Sequence, residues 1–141
     1  MIVKPHQFRR AKKDQTASIS LDKPLDSMGY ASGAGGVVTQ ITSRSTGVTL
    51  NKPSGTITTA TTSLAAEASA DFVVTNSFVG IDDVVVLSMQ SGAVAAGTLV
   101  NVAAVAAGSF TIRVHNGNVA AGTAETGAIL INFVVIKGAA A

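Results

Sequence analysis

Few residues in this chain have the types and spacing that catalysis or metal binding requires. The chain has two histidines, His6 and His115, and no cysteine. The histidines are far apart and have no metal-ligand spacing, and His115 is expected on the solvent face of a strand. Asp82 and Asp83 are adjacent, so on a strand they would point to opposite faces and could not form a carboxylate pair. We therefore expect no metal site and no catalytic pair here.

A glycine-rich stretch, GAGGV at residues 33–37, is the nearest approach to a nucleotide-binding loop. If Gly33 and Gly35 were the first two glycines of the dinucleotide fingerprint, the third would stand at position 38, which is Val38. No predicted strand precedes it, and the nucleophile elbow GxSxG does not occur. The sequence thus predicts a protein that is not an enzyme and needs no cofactor.

The composition favours a β protein with an unusual surface. Of 141 residues, 47% are hydrophobic, only 4% are aromatic and 13% are charged, against a typical charged share of about 25%. The core must therefore be built mainly from Val, Ile, Leu and Ala. Low charge is typical either of a surface rich in Ser, Thr and Asn or of a surface covered by other subunits.

The N-terminal residues 1–30 differ from the rest of the chain. They hold six basic and three acidic residues, whereas residues 31–141 hold four basic and five acidic ones. We interpret residues 1–30 as an extended basic arm, joined by a glycine hinge to a domain at 31–141. Three roles remain open for the arm: a solvated tail, a strap on an acidic protein surface, or contact with nucleic acid phosphates. The near-neutral domain makes nucleic acid an unlikely partner.

The same N-terminal residues do not predict a membrane or export signal. No apolar segment follows the basic start, as a signal peptide would require. The longest strongly apolar stretch, residues 127–137, is shorter than the ~20 residues of a membrane-spanning helix. We expect no membrane partner.

From Gly36 onward, β-branched residues and turn signals alternate at short intervals, which indicates strands. The pattern predicts an all-β fold, an antiparallel β-sandwich or jelly-roll-like domain. The eight expected strands lie at 36–42, 46–51, 55–62, 70–76, 82–90, 97–106, 108–116 and 127–137.

The last of these strands, at 127–137, is expected to be central. Both of its alternating sets of side chains are mostly apolar, so it should be buried on both faces, or on one face and at an interface. The predicted core consists of Val48, Ile57, Phe72, Val74, Val84, Val86, Leu99, Phe110, Ile112, Val114, Ile131 and Phe133.

Several segments resemble a small β domain that recurs in the virions of tailed bacteriophages. They are GGVVTQITSRSTGVTLNKPSGTITT at 35–59, FVVTNS at 72–77, DDVVVLSMQSGA at 82–93, VAAGSFTIRVHN at 105–116 and AILINFVVIKG at 128–138. Similar segments occur in head decoration (cement) proteins and in head- or tail-fibre components. The resemblance implies a β-sandwich, usually assembled as a trimer, and brings no catalytic residues with it.

The resemblance implies a structural virion protein. The leading expectation is a capsid decoration protein that forms a homotrimer on the outer surface of the phage head and stabilises the lattice of its partner, the major capsid protein. The alternative is a head- or tail-fibre or receptor-binding module that contacts the host cell surface. For the leading expectation, the residues of the arm expected to bind the capsid are Lys4, Arg9, Arg10, Lys12, Lys13, Ile19, Leu21 and Leu25.

Overall fold

The fold of this chain is all-β. The computed structural model describes residues 29–139, and within that range it has eight strands and no helix. Each of the eight expected strands overlaps one observed strand. The strands are β1 (Gly35–Thr39), β2 (Val48–Thr49), β3 (Ser54–Thr58), β4 (Ser69–Thr75), β5 (Val84–Ser91), β6 (Thr98–Ala106), β7 (Ser109–Asn116) and β8 (Leu130–Ile136).

The strands form two four-stranded sheets that share one core. Sheet A has the order β1-β3-β8-β5, and sheet B has the order β2-β4-β7-β6. The predicted β-sandwich is thereby confirmed. The expected arm at residues 1–30 lies outside the described residues, apart from Gly29 and Tyr30.

Both sheets are mixed rather than antiparallel throughout. β1 pairs with β3 and β2 pairs with β4 in parallel, while the other four pairings are antiparallel. The physical reason is the path of the chain, which passes from one sheet to the other at each step from β1 to β4. Each parallel pair is therefore joined by a crossover through the opposite sheet instead of by a hairpin.

The core lies between the sheets and is built from alternate residues of each strand. The rings of Phe110 in sheet B and Phe133 in sheet A meet there, with centroids 5.3 Å apart and planes tilted by 52°. Most of the predicted core is buried as expected, namely Val48, Ile57, Phe72, Val74, Phe110, Ile112, Val114, Ile131 and Phe133.

The predicted faces of β5 were wrong. Val84 and Val86 were expected in the core, but they are 54% and 45% exposed. Val85 and Leu87 face inward instead, because they lie opposite Val135 and Phe133 of β8. Since side chains alternate along a strand, an error of one residue reverses every assignment. Three consecutive valines gave no alternation that could have fixed the register.

The prediction for Leu99 of β6 was also wrong, since this side chain is 60% exposed. Leu99 lies opposite His115 on the outer face of sheet B, whereas Val100 lies opposite the buried Val114. Pairing with β7 therefore decides which side of β6 faces the core.

The C-terminal strand β8 occupies the interior of sheet A, between β3 and β5, as the sequence predicted. Its inward residues Ile131, Phe133 and Val135 are buried. Its outward side chains are half-buried up to Val134 and exposed at Ile136. One face of β8 therefore belongs to the core and the other to an apolar outer surface.

Candidate functional site

The outer face of sheet A carries apolar side chains that the fold does not cover. Val84 and Val86 of β5 stand beside Ile136 and Val134 of β8. Ile136 is 51% exposed, so these branched side chains form a contiguous apolar strip. Exposed apolar patches of this kind mark interaction surfaces more often than isolated exposed residues do.

The outer face of sheet B differs from that strip, because it carries charged side chains beside the exposed Val73 and Leu99. Arg113 of β7 makes two hydrogen bonds of 2.7 Å to the carboxylate of Asp71 on β4. That contact lowers the pKa of Asp71 and raises the pKa of Arg113. Next to this pair, Ser69 Oγ and His115 Nδ1 lie 3.0 Å apart. The outer face of sheet B is therefore mixed in character, with an ion pair at its centre.

One lateral side of the sandwich, which we call the β5–β6 side, has no charge in its strands. It contains the edge strand of sheet A, β5, and the edge strand of sheet B, β6. No charged residue occurs between Asp83 and Arg113 in the sequence. Exposed edges usually carry lysine or another charge that blocks pairing with other chains. β5 and β6 have no such charge. Each has instead an irregularity in its pairing, at Met89/Ser91 in β5 and at Val102/Ala104 in β6, which can also hinder pairing with another chain.

The opposite lateral side, the β1–β2 side, also presents uncharged strands. β1 reads GGVVT and β2 reads VT. Val37 of β1 is 81% exposed, and Ile41, just after β1, is 84% exposed. The stem of Lys52 lies near Gly36 on the inner side of β1, so one cation stands close to this edge.

A buried arginine, Arg44, fastens the loops at one end of the sandwich. Its Nε donates to Thr62 O at 2.6 Å, and its Nη2 donates to Glu125 O at 3.1 Å and to Gly127 O at 2.9 Å. Its Nη1 donates to Thr59 Oγ1 at 3.1 Å. Burial lowers the pKa of Arg44, and the nearby charge of Glu125 opposes that effect. These partners are mostly main-chain oxygens, which indicates a structural clamp.

The carboxylate of Glu125 is completely buried and organises the loop between β5 and β6. It accepts hydrogen bonds from Thr98 Oγ1 at 2.6 Å, from Ala95 N at 3.0 Å and from Val94 N at 3.1 Å. It also accepts one from Gly127 N at 2.7 Å. Burial alone would raise the pKa of Glu125, but these hydrogen bonds more than offset it and hold the pKa below its ordinary value. All its contacts are with the protein's own donors.

A second carboxylate, Asp83, ties the C-terminal end of the domain to the start of β5. Lys137 Nζ donates to Asp83 Oδ2 at 2.5 Å, and the amides of Gly80 and Gly138 donate at 2.7 and 3.0 Å. The hydrogen bond from Lys137, supported by that of Gly80, lowers the pKa of Asp83 to about 2. Asp82 and Asp83 lie in the turn before β5 rather than on the strand itself.

A shallow cleft of about 270 Å³ lies at the end of β1 and β3 and is lined mainly by threonines. Gln40 forms part of its wall and is fixed by its own hydrogen bonds to Thr46 O and Ala60 N. None of its lining residues is acidic, basic or histidine. The cleft therefore offers hydroxyl and amide groups but no general acid or base.

The eight residues predicted to bind the capsid, from Lys4 to Leu25, lie outside the described residues. Among residues 29–139, no group of three His, Cys, Asp or Glu side chains could hold a metal ion. In the same part of the chain, no helix has the length and apolar character needed to cross a membrane. The comparisons with known proteins add nothing further, since no family model, curated protein or solved structure matches the chain.

Two features of the surface and interior were missed from the sequence. The absence of charge from β5 and β6 could have been found, because the uncharged interval between Asp83 and Arg113 is visible in the sequence; their common position at one side depends on the strand order. The buried hydrogen-bond cluster around the Glu125 carboxylate, which we call the Glu125 clamp, could not have been found from the sequence. Nothing in the local sequence distinguishes a buried glutamate from an exposed one.

Proposed function

We propose that this protein is a structural virion protein, a capsid decoration protein that trimerises on the outer surface of the phage head. The observation that carries the proposal is the uncharged β5–β6 side, together with the apolar strip on sheet A. A small domain whose strand edges carry no charge is suited to permanent assembly rather than to life as a free monomer. The resemblance of its segments to phage virion domains supports the same function.

The basic residues 1–30 are proposed to hold the domain on the major capsid protein. Lys4, Arg9, Arg10, Lys12 and Lys13 would meet acidic groups, while Ile19, Leu21 and Leu25 would supply apolar anchors. Exposed ion pairs contribute only ~0–1 kcal/mol each, so the charges should mainly speed and orient docking, and the apolar residues should slow release. Three linked copies would multiply weak contacts by avidity.

The hydroxyl of Tyr30 supports this arrangement, because it donates a hydrogen bond to the main-chain oxygen of Val135 in β8. This contact ties Tyr30, near the start of the described residues, to sheet A. Segments that reach from a fixed point can order on a partner and cover a large surface.

The alternative, a fibre or receptor-binding module, places the same domain at a different site on the virion. Aromatic side chains dominate many recognition hot spots. In the described part of the chain, only Tyr30 and Phe78 are exposed aromatics, at 45% and 46%. That scarcity favours the decoration role.

Labelling of intact particles tests the proposal. Particles are purified from the strain that encodes this chain, their proteins are identified by mass spectrometry, and the particles are labelled with gold-coupled antibody. The proposal predicts gold distributed over the head. Gold at the tail tip or fibres would favour the receptor-binding alternative, and absence of the protein from the particles would exclude both.

A further inference from the structure

Sheet A has two edge strands, β1 and β5, which lie at opposite sides of the sheet. Both contribute side chains to its outer face. Val86 of β5 and Val37 of β1 both point outward, separated by β3 and β8. Both edges lack charge in their strands, and both present branched aliphatic side chains to solvent. Among residues 29–139, no other strand pairs with the outer side of β1 or β5.

We propose that these two edges are the two halves of one interface between copies of this chain. The β5 edge of one protomer meets the β1 edge of the next, and repetition of this contact closes a ring. The inference deepens the homotrimer of the proposed function and rests on it for the number of copies. A contact between two different surfaces of the same chain is heterologous, and it forms a ring when the rotation between subunits closes.

Charge determines which occupant fits the β5 edge. A charged partner surface would lose its hydration there without gaining a counter-charge, because the strand offers none. The outer face of sheet B is a poor match for that reason, since it carries Asp71 and Arg113. The β1 edge is a better match, because its five residues are Gly, Val and Thr only and the nearby stem of Lys52 lies on the inner side of the strand.

Backbone geometry supports the same pairing. Edge strands carry main-chain donors and acceptors on the side that faces away from the sheet. β5 has eight residues and β1 has five, so the shorter edge can pair along its whole length.

Three exposed valines provide the variants for a test. Val86→Glu places a charge on the β5 edge, and Val37→Glu places one on the β1 edge. Val73→Glu is the matched control, because Val73 is 46% exposed on the outer face of sheet B. All three are surface changes, so the far-ultraviolet circular dichroism of each should match that of the original chain.

Sedimentation velocity of the full-length chain then measures assembly at micromolar concentration. We expect the original chain and Val73→Glu to sediment as trimers, and Val37→Glu and Val86→Glu to sediment as monomers. An equal mixture of Val37→Glu and Val86→Glu keeps one intact pair of edges. It should therefore form a dimer and no trimer.

Three results would overturn the inference. The first is a monomeric original chain, and the second is a trimer that survives Val37→Glu or Val86→Glu. The third is a mixture of these two variants that remains monomeric. None of them bears on where the protein lies in the virion, which the gold labelling decides separately.

Discussion

Phe110 of β7 and Phe133 of β8 belong to different sheets, yet their rings meet at 5.3 Å in the centre of the sandwich. The two side chains are 1% and 3% exposed. Aromatic pairs in this tilted geometry add to the stabilisation that comes from burial alone. Both rings belong to the buried core that the two sheets share.

Phe133→Ala should therefore lower the free energy of unfolding by about 3–5 kcal/mol, because it removes a buried ring and leaves a cavity. Urea unfolding at one fixed protein concentration measures the change, and Val73→Ala is the control, with an expected change within about 0.5 kcal/mol. A loss below about 1 kcal/mol for Phe133→Ala would show that the ring does not fill the core.

Glu125→Gln should destabilise the domain, because the amide group replaces one acceptor oxygen with a donor. At least one of the amides of Ala95, Val94 and Gly127 or the hydroxyl of Thr98 then loses its partner, at a cost of about 1–3 kcal/mol for each buried group left unpaired. Thermal or urea unfolding at pH 7 checks this expectation. An unchanged free energy of unfolding for Glu125→Gln would contradict a stabilising role for these hydrogen bonds.

The clamp at Glu125 should also depend on pH. The pKa of Glu125 is lower in the folded than in the unfolded chain, so its contribution is fully present above the unfolded value of about 4.3 and is lost as the pH falls through the folded value. The difference in stability between the original chain and Glu125→Gln should be constant from pH 6 to 8 and shrink below about pH 4.5. If the stability difference between the two proteins grew as the pH fell, the pKa of Glu125 would be raised by folding and not lowered.

Gly127→Ala should disrupt the same end of the sandwich for a steric reason. A Cβ atom at Gly127 would lie 1.8 Å from Gly92 O and 2.9 Å from Glu125 Oε1, so the backbone would have to move. We expect a loss of about 1–3 kcal/mol or more. The control is Gly29→Ala, where a Cβ would meet nothing within 4 Å; equal effects of the two changes on the unfolding midpoint would contradict this packing.

The sequence predicted the inward and outward faces of a strand correctly where apolar and polar residues alternate clearly. Alternation in β7 correctly placed Phe110 and Ile112 inward and Arg113 outward, because apolar and polar types took opposite faces. In β5, the residues Val84 to Val86 are chemically equal, so only pairing with β8 decides which ones are buried. The parallel pairing of β1 with β3 was also beyond the sequence, since it depends on how the chain crosses between sheets.

The candidate surface was only partly predictable. Low charge was compatible either with a surface rich in Ser, Thr and Asn or with one covered by other subunits, and the sequence does not show that β5 and β6 lie at the same side. That juxtaposition depends on the strand order of both sheets. The residues Arg9 to Lys13 remain a prediction, because they lie outside the described residues.

Removal of residues 1–28 should separate assembly from binding to the head. The remaining chain keeps Tyr30 and all eight strands described between residues 29 and 139, so we expect it to fold and form the ring but not to co-sediment with heads. Charge reversal at Arg9, Arg10, Lys12 and Lys13 should weaken co-sedimentation in a salt-dependent way without abolishing it, because salt screens exposed charges. If the shortened chain binds as tightly as the full chain, the β domain itself makes the capsid contact.

The most direct test of the capsid decoration role is saturation binding of the purified full-length chain to heads that lack it. Bound protein is measured after co-sedimentation as its concentration is raised, with isolated tails in parallel. We predict saturable binding to heads alone, with a number of copies per head that is a multiple of three. Binding to tails alone, or no binding to heads at concentrations at which the chain is a trimer, would contradict the account.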